Sequence, residues 1–102
     1  MRRIDCPIAG YEQVWIGLPD VWRGKHALRR DEAIAVAQKY KSIELTNFCI
    51  ALAVLEAWEI PGLSGNDPEK WQVDEVPLSL IGWISEIVLL DLARAYEVPK
   101  NS

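Results

Sequence analysis

Ser42-Ile43-Glu44-Leu45-Thr46-Asn47-Phe48-Cys49-Ile50-Ala51-Leu52-Ala53-Val54-Leu55-Glu56-Ala57-Trp58 is the stretch that decides the fold. Ser42 is a favoured N-cap residue, and Glu44 lies in the first turn, where the positive end of the helix dipole suits a carboxylate. Leu45, Phe48, Cys49, Leu52, Leu55 and Trp58 recur at helical spacing, which predicts a helix over residues 43 to 58. Ile50, Ala51, Ala53 and Val54 leave it little polar face. A helix apolar on most sides is buried, either centrally in its own chain or against a neighbouring subunit. Its longest uninterrupted apolar run, Phe48 through Leu55, falls far short of the roughly 18 residues that would suggest a membrane span.

Upstream, Ala33, Ile34, Ala37 and Tyr40 share one face of a predicted first helix over residues 29 to 41. Asp31 and Glu32 suit its N-terminal end, and Lys39 and Lys41 its C-terminal end. Asp20-Val21-Trp22-Arg23-Gly24-Lys25-His26 reads as a loop. Gln13-Val14-Trp15-Ile16-Gly17-Leu18-Pro19 has the content of a short strand, with Arg3-Ile4-Asp5-Cys6 as its partner across a turn near Ile8-Ala9-Gly10. Two strands alone are marginal in water, so this ribbon must lie on the helices or pair with another chain.

Downstream, Pro61-Gly62 is expected to end the second helix, and Pro77 to open the last one, over residues 77 to 97. Leu80, Ile81, Ile84, Ile87, Val88 and Leu92 form its main stripe, widened by Trp83, Leu90 and Tyr96. Pro99 and Lys100-Asn101-Ser102 close the chain. Between these helices runs a loop bounded by Trp58 and Trp71. An exposed Trp71 would make that loop a binding edge, and a buried one would make it a clasp. The expectation is a mainly α, single domain over residues 1 to 102: three helices with an extended arm or β-ribbon over residues 1 to 24.

The chain has 102 residues, a net charge of −4 and five tryptophans against one phenylalanine. Tryptophan is enriched where protein surfaces dock, although core packing is its commoner use. Residues 1 to 50 hold eight Lys and Arg against six Asp and Glu, or +2; residues 51 to 102 hold three against nine, or −6. Such opposite halves suit head-to-tail self-association or simply solubility. Cys6 and Cys49 lack metal-ligand spacing, and free thiols fit a reducing compartment. The N-terminus has two arginines but no apolar stretch long enough for a signal peptide.

Catalytic chemistry is hard to assemble from these residues. His26 is the single histidine, set among Arg23, Lys25 and Arg29, and no local signature supports a Cys6–His26 nucleophilic pair. Asp67, Glu69, Asp74 and Glu75 bracket Trp71 without the order of a calcium loop. Arg23, Lys25, Arg29 and Arg30 form the one basic cluster, but the later helices are acidic or apolar, unlike a nucleic-acid recognition helix. Apolar helical faces broader than a small monomer can cover point instead to protein binding.

The order of a Val14-Trp15-Ile16 strand, a helix ending in Trp58, a Pro/Gly/Asp loop, Trp71, Val76-Pro77-Leu78 and a final helix resembles the small tail-assembly proteins of tailed bacteriophages and prophages, particularly tail assembly chaperones. The resemblance spans roughly residues 13 to 97. It implies a non-enzymatic cytoplasmic protein that binds the tape measure protein, or another tail protein, and shields its apolar helices until tube subunits displace it. No cofactor, metal, small-molecule substrate, nucleic acid or membrane is expected. Trp22, Leu52, Trp71, Trp83 and Ile87 are the candidate partner-binding residues, on or beside the second and last helices. The alternatives are a homo-oligomeric virion subunit and a regulator that binds nucleic acid through residues 23 to 30.

Overall fold

A computed structural model describes residues 1–97, so the expected Pro99 and Lys100-Asn101-Ser102 terminus lies outside the described residues. The fold is a small, mainly α domain carrying a three-stranded antiparallel sheet. Strand β1 is Arg2–Asp5 and β2 is Trp15–Leu18. Helix α1 is Gly24–Ala37, α2 is Ile43–Val54, β3 is Ala57–Glu59 and α3 is Leu78–Arg94. The sheet order is β1-β2-β3, with Ile4 opposite Ile16 and Ile16 opposite Trp58.

The N-terminal ribbon forms as its composition suggests. Gly10, at φ 95°, makes the turn with a conformation that glycine adopts freely, and the Cys6 N–H donates to the Val14 carbonyl at 2.9 Å. Val14, Ile16 and Leu18 alternate along one face and are buried in the same core as the helices. The ribbon therefore lies on its own helices. Arg2 ties its edge to α3 by a forked ion pair with Asp91, 3.1 Å to Oδ1 and 2.7 Å to Oδ2.

The first helix begins at Gly24, five residues before the expected start at residue 29, and takes in Gly24, Lys25 and His26 from the end of a segment that reads as loop. The cause is a cap with no serine, threonine or aspartate. His26 stands at the third helical position and its Nδ1 accepts the Arg23 backbone N–H at 2.9 Å. This is the return bond that glutamate usually makes in a capping box. Asp31 and Glu32 consequently fall mid-helix. A 3₁₀ turn over Gln38–Tyr40 follows, and Lys41 turns the chain through the left-handed region at φ 51°.

Ser42 caps α2 as expected, its Oγ accepting the Leu45 N–H at 3.2 Å. The helix then ends at Val54, not at Trp58. Leu55 is extended, the Glu56 N–H donates to the Gly17 carbonyl at 2.9 Å, and residues 57 to 59 become β3. Trp58 is thus a strand residue, and Pro61-Gly62 turns the chain after a strand rather than stopping a helix. Helical spacing carries on through Leu55 and Trp58, but the open edge of β2 offers this segment a ladder as well as apolar cover, and tertiary pairing overrides local periodicity.

Helix α2 is central to its own chain. Phe48, Cys49, Ala51, Leu52 and Val54 are all buried, packed with Ala33 and Ala37 of α1 and Leu80, Ile81, Ile84 and Val88 of α3. Pro77 stands at the N-cap of α3, where its missing N–H has no helical partner to lose. Truncating the largest central side chain, Phe48→Ala, should cost about 3–5 kcal/mol. Urea unfolding measures this; a loss below about 1 kcal/mol would mean that α2 is not the centre of the core.

Candidate protein-binding groove

The helix-to-strand change after Val54 sets one wall of an open groove of about 520 Å³. Residues 55 to 59 line it from the α2–β3 junction and β3, Arg29 and Glu32 from α1, and Leu63, Ser64, Gly65 and Asn66 from the following loop. The loop leaves β3 after a single bridge, Ile60 opposite Leu63. It is then drawn back to the core through Trp71, which is 3% exposed. The Trp71 indole N–H donates to the Gly65 carbonyl at 3.1 Å, and the Tyr40 hydroxyl donates to the Trp71 carbonyl at 3.3 Å. Trp58 meets Trp71 edge-on, with ring centroids 5.9 Å apart. The loop is therefore a clasp, and Trp58 is its half-buried, groove-lining partner.

Five candidate partner-binding residues fall in three places. Leu52 and Trp71, at 1% and 3% exposed, belong to the core and line the groove only as floor. Neither is a surface side chain. Trp22 lies outside the groove, edge-on to His26 at 5.2 Å between ring centroids and bonded through Nε1 to Asp91 Oδ2 at 2.8 Å, beside a smaller hollow of about 250 Å³ shared with Leu92 and Tyr96. Trp83 and Ile87 are half-buried on α3. The α2 face that carries Leu52 is packed against its own chain, so the part of α2 open to a partner is the remainder, with Ile43 exposed and Leu45 and Ile50 half-buried. Sequence reasoning missed Glu56, Trp58, Leu63 and Asn66 as groove residues. Trp58 carried a signal in its size, but the helical period assigned it to a core stripe.

A polar clasp beside the groove fixes its geometry. His26 is buried, and its Nδ1 is occupied as acceptor of the Arg23 N–H, so the ring proton sits on Nε2 and is donated to Glu56 Oε1 at 2.9 Å. Both ring nitrogens are thus engaged, which leaves neither free as a general base. Cys6 lies by Val14, at the opposite end of the ribbon from the Leu18–Trp22 segment that leads to His26. In the core, burial pushes the Cys49 thiol up to about 11, so it packs as an apolar group.

The basic cluster is largely engaged by its own chain. Lys25 and Arg29 each approach Glu56 at 3.9 Å, while Arg30 meets Asp31 at 3.1 Å and the Tyr96 hydroxyl at 2.9 Å. The acidic loop residues are similarly local: Asp67 accepts the Glu69 N–H at 3.0 Å, and Glu69 meets Lys39 at 4.0 Å. Among the described residues, no three His, Cys, Asp or Glu side chains converge as a metal-ligand set, and no helix is long and apolar enough to cross a membrane. Compared with known proteins, the chain matches no family model, no curated protein and no solved structure.

The His26 N–H, more than the nearby cations, holds the Glu56 carboxyl below its usual range, against the opposing effect of burial. Its folded-state value therefore lies below the unfolded value of about 4.3. The stabilisation is present above that pH and is lost as pH falls through the lower folded value. Glu56→Gln should flatten the acid limb of stability, measured as urea midpoints between about pH 7 and pH 3. An acid limb as steep as that of the parent protein would show that the clasp contributes nothing to it.

Proposed function

We propose that this chain is a non-enzymatic, protein-binding assembly factor of the kind its order of elements resembles: a tail assembly chaperone that holds the tape measure protein, or another tail protein, in the host cytoplasm. The observation that carries this reading is the open groove, with Leu55, Trp58 and Leu63 among polar side chains. An aromatic anchor in an apolar recess with a polar surround is the usual chemistry of a protein-binding hot spot. The engaged nitrogens of His26 and the locally paired basic cluster make acid–base catalysis and phosphate binding weaker readings.

A second reading rests on α3. Leu90 is 50% exposed and lies one helical turn from half-buried Ile87, with half-buried Trp83 a turn further back on the same face. A homo-oligomeric virion subunit would cover such a surface with another copy. Mass measurement separates the two, since a chaperone leaves finished particles and a subunit stays in them.

Co-expression with the tape measure protein should raise that client's solubility and recover the two together. Leu63→Ser, a change on the half-exposed loop wall, should lower client recovery at least about fivefold, equivalent to ~1 kcal/mol, with little change in Tm. Unchanged client solubility and no co-purification would contradict the assignment.

A further inference from the structure

Strand β1 has a free edge whose charge pattern complements itself. β1 is the first strand in the order β1-β2-β3 and pairs with β2 alone. The Cys6 N–H donates to the Val14 carbonyl at 2.9 Å, and Ile4 lies opposite Ile16 two positions along the same ladder. Bonded residues alternate in an antiparallel pair, so Ile4 turns its N–H and carbonyl to β2 while Arg3 and Asp5 turn theirs outward. Among the described residues, no backbone bond outside the ladder uses those outward groups.

The side chains alternate as well. Ile4 is half-buried against the core, which places Arg3 and Asp5 together on the outer face of the sheet, both exposed. The Arg3 guanidinium lies 4.5 Å from the centroid of the Trp15 ring, and its Nε donates to Asp5 Oδ1 at 3.0 Å. Arg2 is held by Asp91 and the Pro19 carbonyl, so it adds no charge to the outer row.

Charged side chains commonly guard a strand edge by repelling a second edge. Here the pattern repels in two registers and attracts in one. Outward backbone groups must meet outward ones, so a second antiparallel β1 centred on these residues sets Arg3 opposite Arg3, Asp5 opposite Asp5, or Arg3 opposite Asp5. The first two bring like charges face to face. The third gives two opposite-charge pairs related by a two-fold axis and sets Ile4 against Ile4 on the core face. Pro7 has no N–H to continue the ladder.

We propose that β1 joins β1 of a second copy of this chain across a two-fold axis at Ile4, making one continuous antiparallel sheet through both copies. Backbone bonds at Arg3 and Asp5 supply the contact, and the Arg3–Asp5 pairs between copies select the register. The interface is short and belongs to the weak, transient class. It lies at the opposite edge of the sheet from β3 and does not depend on what the groove binds.

Sedimentation of the full chain tests this. Dimer should increase with concentration up to about 1 mM, and added salt should weaken it. Asp5→Arg and Arg3→Asp each put like charges at both positions. Each should weaken self-association at least about tenfold, keep the parent's circular dichroism, and associate with the other when the two are mixed. Ile4→Cys should form a disulfide between copies on oxidation, because facing Cα atoms in a non-bonded pair lie about 4.5 Å apart and a disulfide spans about 4.4–6.8 Å. A chain that stays monomeric up to about 1 mM leaves the edge to solvent or to another protein and overturns the proposal. A dimer indifferent to both charge changes, or one abolished only by Leu90→Ser on α3, overturns it as well. A charge-sensitive dimer without the Ile4→Cys crosslink contradicts the two-fold axis at Ile4.

Discussion

Glu56 joins the parts on which the rest of the structure depends. Its backbone N–H donates to Gly17 of β2, and its carboxylate accepts the His26 N–H from the first turn of α1. These two bonds act at the point where α2 has ended and β3 begins. One residue thereby links the central helix, the sheet and the cap of α1. The bond to His26 is charge-assisted, stronger than a neutral pair, and lies against a ring that is 1% exposed. Removing either partner leaves a buried imidazole N–H without its acceptor or a carboxylate without its best donor.

The groove is a consequence of this junction. Had α2 continued to Trp58, Leu55 and Trp58 would have stayed on one helical stripe, and β2 would have kept an open edge. With the chain extended, Trp58 pairs opposite Ile16, its ring reaches Trp71, and the strand forms a wall that the clasped loop faces. Trp71 is held through both its indole and its carbonyl.

The helical elements were largely legible because their periods are long and their stops chemical. Ser42 marks the start of α2, Pro77 marks that of α3, and the stripe from Leu80 to Val88 marks the face that α3 buries. The ribbon was legible from Val14, Ile16 and Leu18 with Gly10 between strands. Two features were not. His26 as a cap lies outside the usual serine, threonine and acid vocabulary, and its meaning depends on Glu56, thirty positions away. β3 carries helical spacing and becomes a strand only because β2 is there to pair with it. The groove inherits both omissions, since its walls come from residues whose roles are set by tertiary partners. Leu52 and Trp71 have the right chemistry for a partner surface and the wrong depth, a distinction that apolar patterning does not make.

The switch from helix to strand after Val54 is most directly tested by ¹³Cα and ¹³Cβ chemical shifts of residues 55 to 59 in the free protein. Extended values from Leu55 through Glu59 are expected, with a sharp change from the helical values of α2. Helical values continuing through Trp58 would contradict the junction at Glu56, and with it the groove.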